Sequence, residues 1–196
     1  MANRPKLARW SMNKHQWLAL VGGISLFIWG LSGLAHIAMV LFGPQQIAFM
    51  PPMRAVDMSA AQSVETVLAK AGIAKATAVK VIVGRTANLL QVTENPSAPR
   101  RYFALDSGAE LPGEDARQAE FIARHYLKEQ RAVAQIVHQT QFDADYPWVN
   151  RQLPVWRVRF AGDDRLTAYV HTETSSLAAV NNLTKTRLQT VFRWLH

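Results

Sequence analysis

Apolar and polar residues are arranged along this chain in two different periods, separated by one stretch with no period at all. Residues 17–42, WLALVGGISLFIWGLSGLAHIAMVLF, contain no Asp, Glu, Lys or Arg. A helix rises about 1.5 Å per residue, so roughly 20 residues cross a hydrocarbon core of about 30 Å, and this run is longer than that. Its polar side chains are Ser25, Ser32 and His36, which make no stripe at helical spacing. The pattern therefore predicts a transmembrane helix rather than the core helix of a soluble domain. A cleaved signal peptide would have an apolar region of about 7 to 15 residues before a small-x-small site, and the run continues past that length, so it is expected to be retained. Gly22, Gly23, Gly30 and Gly33 would let another helix approach closely.

Beyond the span the periods change. Gly43, Pro44 and the pair Pro51-Pro52 stop the helix and open an extended linker over 43–58. Residues 59–71 have helical spacing at Val64, Val67, Leu68 and Ala71, with Ser59 as the expected cap and Gly72 as the stop. Short β-rich runs follow at 77–83, 88–93 and 101–105, the last closed by Asp106-Ser107-Gly108. The same order then recurs. Residues 115–130 form an amphipathic helix with Ala119, Ile122, Ala123, Tyr126 and Leu127 on one face, and strands are predicted over 133–139, 155–160 and 166–171. The third strands of the two copies align: YFALDSGAEL at 102–111 with AYVHTETSSL at 168–177. The expected fold class is α+β: one N-terminal transmembrane helix, two modules (59–113 and 114–180) in which a helix packs on a small antiparallel sheet, and a last helix over 181–196. That last segment, NNLTKTRLQTVFRWLH, has an apolar stripe and basic residues suited to headgroups. It is either an amphipathic helix or the start of a second membrane span.

Charge fixes the sidedness. Arg4, Lys6, Arg9 and Lys14 precede the span and the first basic residue after it is Arg54. The cytoplasmic segment is then 1–16 and the remainder is extracytoplasmic. The formal net charge of the 196 residues is +8, but the basic residues are scattered rather than gathered in a stripe with interleaved aromatics, so lipid and not nucleic acid is the expected partner. Cysteine is absent, which excludes disulfides, thiolate chemistry and cysteine-ligated metals. No G-x-S-x-G, H-E-x-x-H or phosphate loop is present, and no hydrolase or nucleotide site is predicted.

Several short motifs resemble one known family. HQWL at 15–18, SGLAH at 32–36, PVWRVRF at 154–160, AYVHTETSSLAAV at 168–180 and RWLH at 193–196 are together similar to the PepSY-associated transmembrane proteins. Members of that family include inner-membrane reductases linked to iron and siderophore uptake. The resemblance implies PepSY-like modules facing the periplasm of a bacterium, a single pass through the inner membrane, and an accessory or regulatory role in which the modules bind a partner. Other membrane subunits, or further copies of the chain, are the implied companions. Members usually continue from a motif like RWLH into further membrane helices, so the chain is expected to be a truncated version or a piece of a longer reading frame. An enzyme is not expected in this chain alone; the alternative is a haem-binding electron-transfer component of a ferric or siderophore reductase.

Candidate site residues follow from these two readings. His15 and His36 are 21 positions apart on one helix, about 31 Å at helical rise, which puts one near each membrane face. With haem as the cofactor that the resemblance implies, they are candidate axial ligands, and His196 is the candidate second ligand on the outer side. The other reading makes His15 an interfacial residue and His36 a hydrated one near the outer boundary. His125, His138 and His171 have no recognised metal spacing and are expected to be ordinary surface or strand residues. For partner binding, the irregular piece at 142–153, FDADYPWVNRQL, offers Tyr146 and Trp148, while Trp156 in its alternating strand is expected to face the core.

Overall fold

The structure is a computed structural model that describes residues 4–195, with side chains from residue 8 onward. Its elements run α1 (Arg4–Phe42), α2 (Val64–Lys70), β1 (Ala78–Val83), β2 (Asn88–Thr93), β3 (Arg101–Ala104), α3 (Glu114–Leu127), β4 (Val133–Gln139), β5 (Val155–Phe160), β6 (Thr167–His171), β7 (Ser176–Asn181) and α4 (Leu183–Leu195). They fall into two compact units, one made of Met1–Gly43 with Thr184–His196 and the other of Pro44–Leu183.

In the first unit α1 is a single helix of 39 residues, about 58 Å long at helical rise. It begins well before residue 17, because the polar N-terminal turns lack Gly or Pro to interrupt them once Pro5 has been passed in the first turn. Among the described residues this helix is long and apolar enough to cross a membrane. Its hydroxyls do not need outside partners: Ser25 Oγ donates to the Val21 carbonyl at 2.9 Å and Ser32 Oγ to that of Trp29 at 2.9 Å. Ser32, Ala35 and Met39 form a buried stripe at helical spacing. Two contacts in this region are with α4, where the Phe192 ring lies 6.0 Å from that of His36 and the Lys185 stem lies against Gly43.

The second unit holds two antiparallel meanders. One has the order β1-β2-β3 and the other β4-β5-β6-β7. The fourth strand of the second sheet departs from the equal copies expected from sequence. In the first half the chain after β3 returns only as a bridge between Phe103 and Glu110. In the second half the equivalent return becomes a full strand, with Tyr169 opposite Ala179 and His171 opposite Ser176. α2 covers one face of the first sheet through Val67, Leu90, Val92 and Phe103. The helix is also shorter than the periodicity suggests. Its cap is Ser63, whose hydroxyl accepts from the Thr66 amide at 3.1 Å. Ser59 is instead held in a turn, its amide donating to Asp57 Oδ1 at 2.9 Å.

α3 packs its predicted apolar face, Ala119, Ile122, Ala123, Tyr126 and Leu127, on Val158, Phe160, Ala168 and Val170 of the second sheet. It ends three residues earlier than expected because Lys128 adopts the left-handed conformation at φ 52°. The linker is strapped to this end of the unit: the amides of Ile47 and Ala48 both donate to the Tyr126 carbonyl, at 2.8 and 3.0 Å, and His125 Nε2 donates to the Met50 carbonyl at 2.9 Å.

Candidate functional site

The two halves of the second unit meet at one carboxylate. Asp115, in the first turn of α3, is buried. Its Oδ1 accepts from the Tyr102 hydroxyl at 2.7 Å on β3, and its Oδ2 accepts from the Arg100 amide at 2.9 Å and from Trp156 Nε1 at 2.7 Å on β5. Gln91 Nε2 on β2 then donates to the Tyr102 oxygen at 2.7 Å and to the Thr172 carbonyl at 3.1 Å. Arg100 closes the far side with an ion pair to Glu173 at 2.7 Å, and the Lys80 ammonium donates to the Glu173 carbonyl. Burial first, and then the adjacent Asp115 carboxylate, push the Tyr102 hydroxyl well above its ordinary range, so it remains a donor at every physiological pH. The arrangement is a charge-assisted network that ties sheet to sheet through the helix between them.

Two histidines border this network. His138 lies 5.0 Å from the Trp156 ring and His171 Nδ1 is 2.8 Å from the Thr174 hydroxyl. Burial lowers the pKa of both, helped at His171 by the Arg100 charge, so both favour the neutral form. Among the described residues no three of His, Cys, Asp or Glu gather as a metal site.

On the outer face of the second sheet the contact loop separates into two parts. Tyr146, expected at a contact surface, is wholly buried, which corrects that expectation. Its ring stacks on Tyr169 at 4.4 Å and its hydroxyl donates to the Gln152 carbonyl at 2.9 Å. Satisfied and stacked, it serves the core. Trp148 stays 67% exposed, beside Val149 at 65%. Trp156 is half-buried and its indole N–H is used internally, in keeping with the core role expected of it. A shallow cleft of about 330 Å3 opens next to the loop, lined by Val137, His138, Gln139, Phe142, Asp143 and Arg157.

The strand bordering that cleft is β4, an edge of its sheet. None of its seven residues, VAQIVHQ, is charged or proline. The two edges of the first sheet are managed differently. β1 carries Lys80, and the outer side of β3 is taken up by Ala109 and Leu111, whose carbonyl and amide pair with Ala104 and Tyr102. Sequence reasoning did not single out β4, although the absence of any charge or proline in VAQIVHQ was visible there. Nor did it find the Asp115 network, whose members are far apart in the chain.

Of the candidate haem ligands, His15 and His36 are among the described residues. His15 and His36 are both exposed on α1, with the whole of the intervening helix between them. His36 has Phe192 as its ring neighbour. His196 lies outside the described residues.

Compared with known proteins, the chain matches no family model, no curated protein and no solved structure.

Proposed function

We propose that this chain is a membrane-anchored binding protein. In this reading α1 holds the unit Pro44–Leu183 at the periplasmic face of a bacterial inner membrane, where two PepSY-like halves engage a protein partner in an accessory or regulatory role. The observation that carries it is the surface of α1. Between residues 17 and 42, fifteen large apolar side chains are exposed, among them Leu18, Leu26, Phe27, Trp29 and Leu41. Removing one such side chain from water is worth about 1.5–3 kcal/mol, so the set represents on the order of 30 kcal/mol. A domain with net stability of roughly 5–15 kcal/mol does not tolerate that surface in water, whereas lipid accommodates it. The order of helix then antiparallel sheet, repeated in both halves, supports the PepSY-like assignment.

Because the chain has no cysteine, single reporter thiols test the arrangement cleanly. The protein is expected in the carbonate-resistant membrane fraction with Met1 in place. A thiol at Asp106→Cys should react with an impermeant maleimide from the periplasm, and one at Asn13→Cys only after lysis. Recovery of a shortened soluble product would make the segment a cleaved signal, and labelling of Asn13→Cys in intact spheroplasts would reverse the sidedness.

A further inference from the structure

We propose that the free edge of β4 is the docking site, and that its occupant is an extended segment of a partner protein in which acidic and apolar residues alternate. The proposal deepens the partner-binding reading above and rests on it.

Three observations converge on this strand. First, its backbone is available. β4 pairs with β5 on one side, from Gln135 opposite Arg159 to Gln139 opposite Val155. On the other side, no backbone hydrogen bond from another described segment reaches residues 133–139. In an antiparallel strand, alternate N–H and C=O groups point outward, which makes such an edge a template for strand addition. The register shift near Ala134 leaves 135–139 as the regular stretch.

Second, the two faces of an added strand would meet different chemistry. Gln135, Val137 and Gln139 share a face with Arg157 and Arg159, because they are cross-strand neighbours in register. Both arginines keep a buried Nε–H with no hydrogen-bond partner. Asp143, the nearest carboxylate to Arg157, is 3.9 Å away, and among the described residues Arg159 has no ion pair. A carboxylate on the incoming strand would therefore find under-used guanidinium donors across β4. On the opposite face, Ile136 packs against the apolar cluster of α3 and Val158, and there the incoming residue should be apolar. Alternation of acidic and apolar residues follows from the pleat.

Third, the end of the strand carries anchors. The cleft lined by Gln139, Phe142 and Arg157 lies at its C-terminal end, in the same loop as the exposed Trp148 and Val149. Aromatic residues are enriched at the centres of protein interfaces.

Charge also decides between a partner and a second copy. Antiparallel pairing of β4 with its own counterpart would bring two Arg157–Arg159 pairs onto one face of a continuous sheet. At three strand spacings, about 14 Å, these charges are largely screened, but β4 itself brings no carboxylate to either arginine, so self-pairing would leave both unmatched. An acidic strand has the complementary sign.

The test uses the full chain in nanodiscs and two blocked peptides of the length of β4, one alternating valine with glutamate and one alternating valine with lysine. The glutamate peptide should bind saturably, weaken with added salt, and slow amide hydrogen exchange within 133–139. The lysine peptide, or the glutamate peptide with R157E/R159E protein, should bind at least about tenfold more weakly, which corresponds to the loss of one charge-assisted contact. Gln135→Glu, at an exposed position of the edge on the arginine face, should weaken binding of the glutamate peptide by placing a like charge against it, with the thermal midpoint not lowered. Equal binding of both peptides, or protection confined to other strands, would overturn the proposal. So would protection of 133–139 without peptide in a particle of doubled protein mass, which would give the edge to a second copy. Membrane fractionation is read independently, so a stably anchored protein that ignores both peptides refutes the docking site and leaves the anchoring intact.

Discussion

Asp115 shows how much of this structure can depend on one side chain. It receives three hydrogen bonds from groups on β3, on β5 and in the turn before β3. Deleting it strands a buried hydroxyl, a buried backbone N–H and a part-buried indole N–H. Leaving buried donors unmatched is far more costly than losing a matched pair. Asp115→Ala should therefore lower unfolding stability in micelles by about 3 kcal/mol or more, while Trp156→Phe, which removes a donor along with its bond, should cost about 1 kcal/mol. Urea titration followed by tryptophan fluorescence measures the first, and far-ultraviolet circular dichroism the second. An Asp115→Ala midpoint no lower than that of the exposed Asp106→Ala would show that the network contributes little. Nothing in the sequence marks this residue. Its partners sit 13, 15 and 41 positions away, and local pattern sees only an acid at the start of a helix, a place where acids are common for dipole reasons alone.

Among the elements, those with a strong period were legible and those governed by turn chemistry were less so. NLLQVT, VAQIVHQ and VWRVRF form strands with the bounds that alternation and β-branching suggest. β7, SLAAVN, is absent from the predicted strands because its small residues carry little β signal; it is a strand because β6 offers it an edge. The start of α2 was misplaced for a related reason, since Ser59 and Ser63 are both good caps and only the Asp57 turn decides between them.

An ion-pair triad fastens the end of α3 to the turn between β5 and β6. Arg131 binds Glu129 at 2.8 Å and Asp164 at 2.7 Å. The Arg131 guanidinium, with help from its backbone amide, holds Glu129 down to about 2, and it also lowers Asp164. A carboxylate with a depressed folded pKa stabilises the fold above its unfolded value and loses that contribution as pH falls towards the folded one. Amide exchange at 129–131 and 163–166 should therefore accelerate as pH drops from about 4.5 towards 2 after correction for intrinsic rates. Arg131→Gln should remove that dependence, and an unchanged profile in the variant would exclude the triad as its source.

At the level of the whole molecule, the sequence made the division between a lipid-suited helix and a folded α+β body visible, because an uncharged run of that length has few other uses. The way the body holds together was not visible. Each half has its own helix and its own sheet, yet Tyr102, Gln91 and Arg100 of the first half reach across to Asp115, Thr172 and Glu173 of the second. The connection between the halves in the chain is the short segment around Pro112 and Gly113. If the gene is bisected there, neither product has a dry place for its share of the polar groups, and each alone should behave as a loosely ordered species. Co-expressed, the two should complement one another and recover the amide-exchange pattern of the uncut body, since the recognition information is written in the opposing surfaces rather than in the bond that joins them.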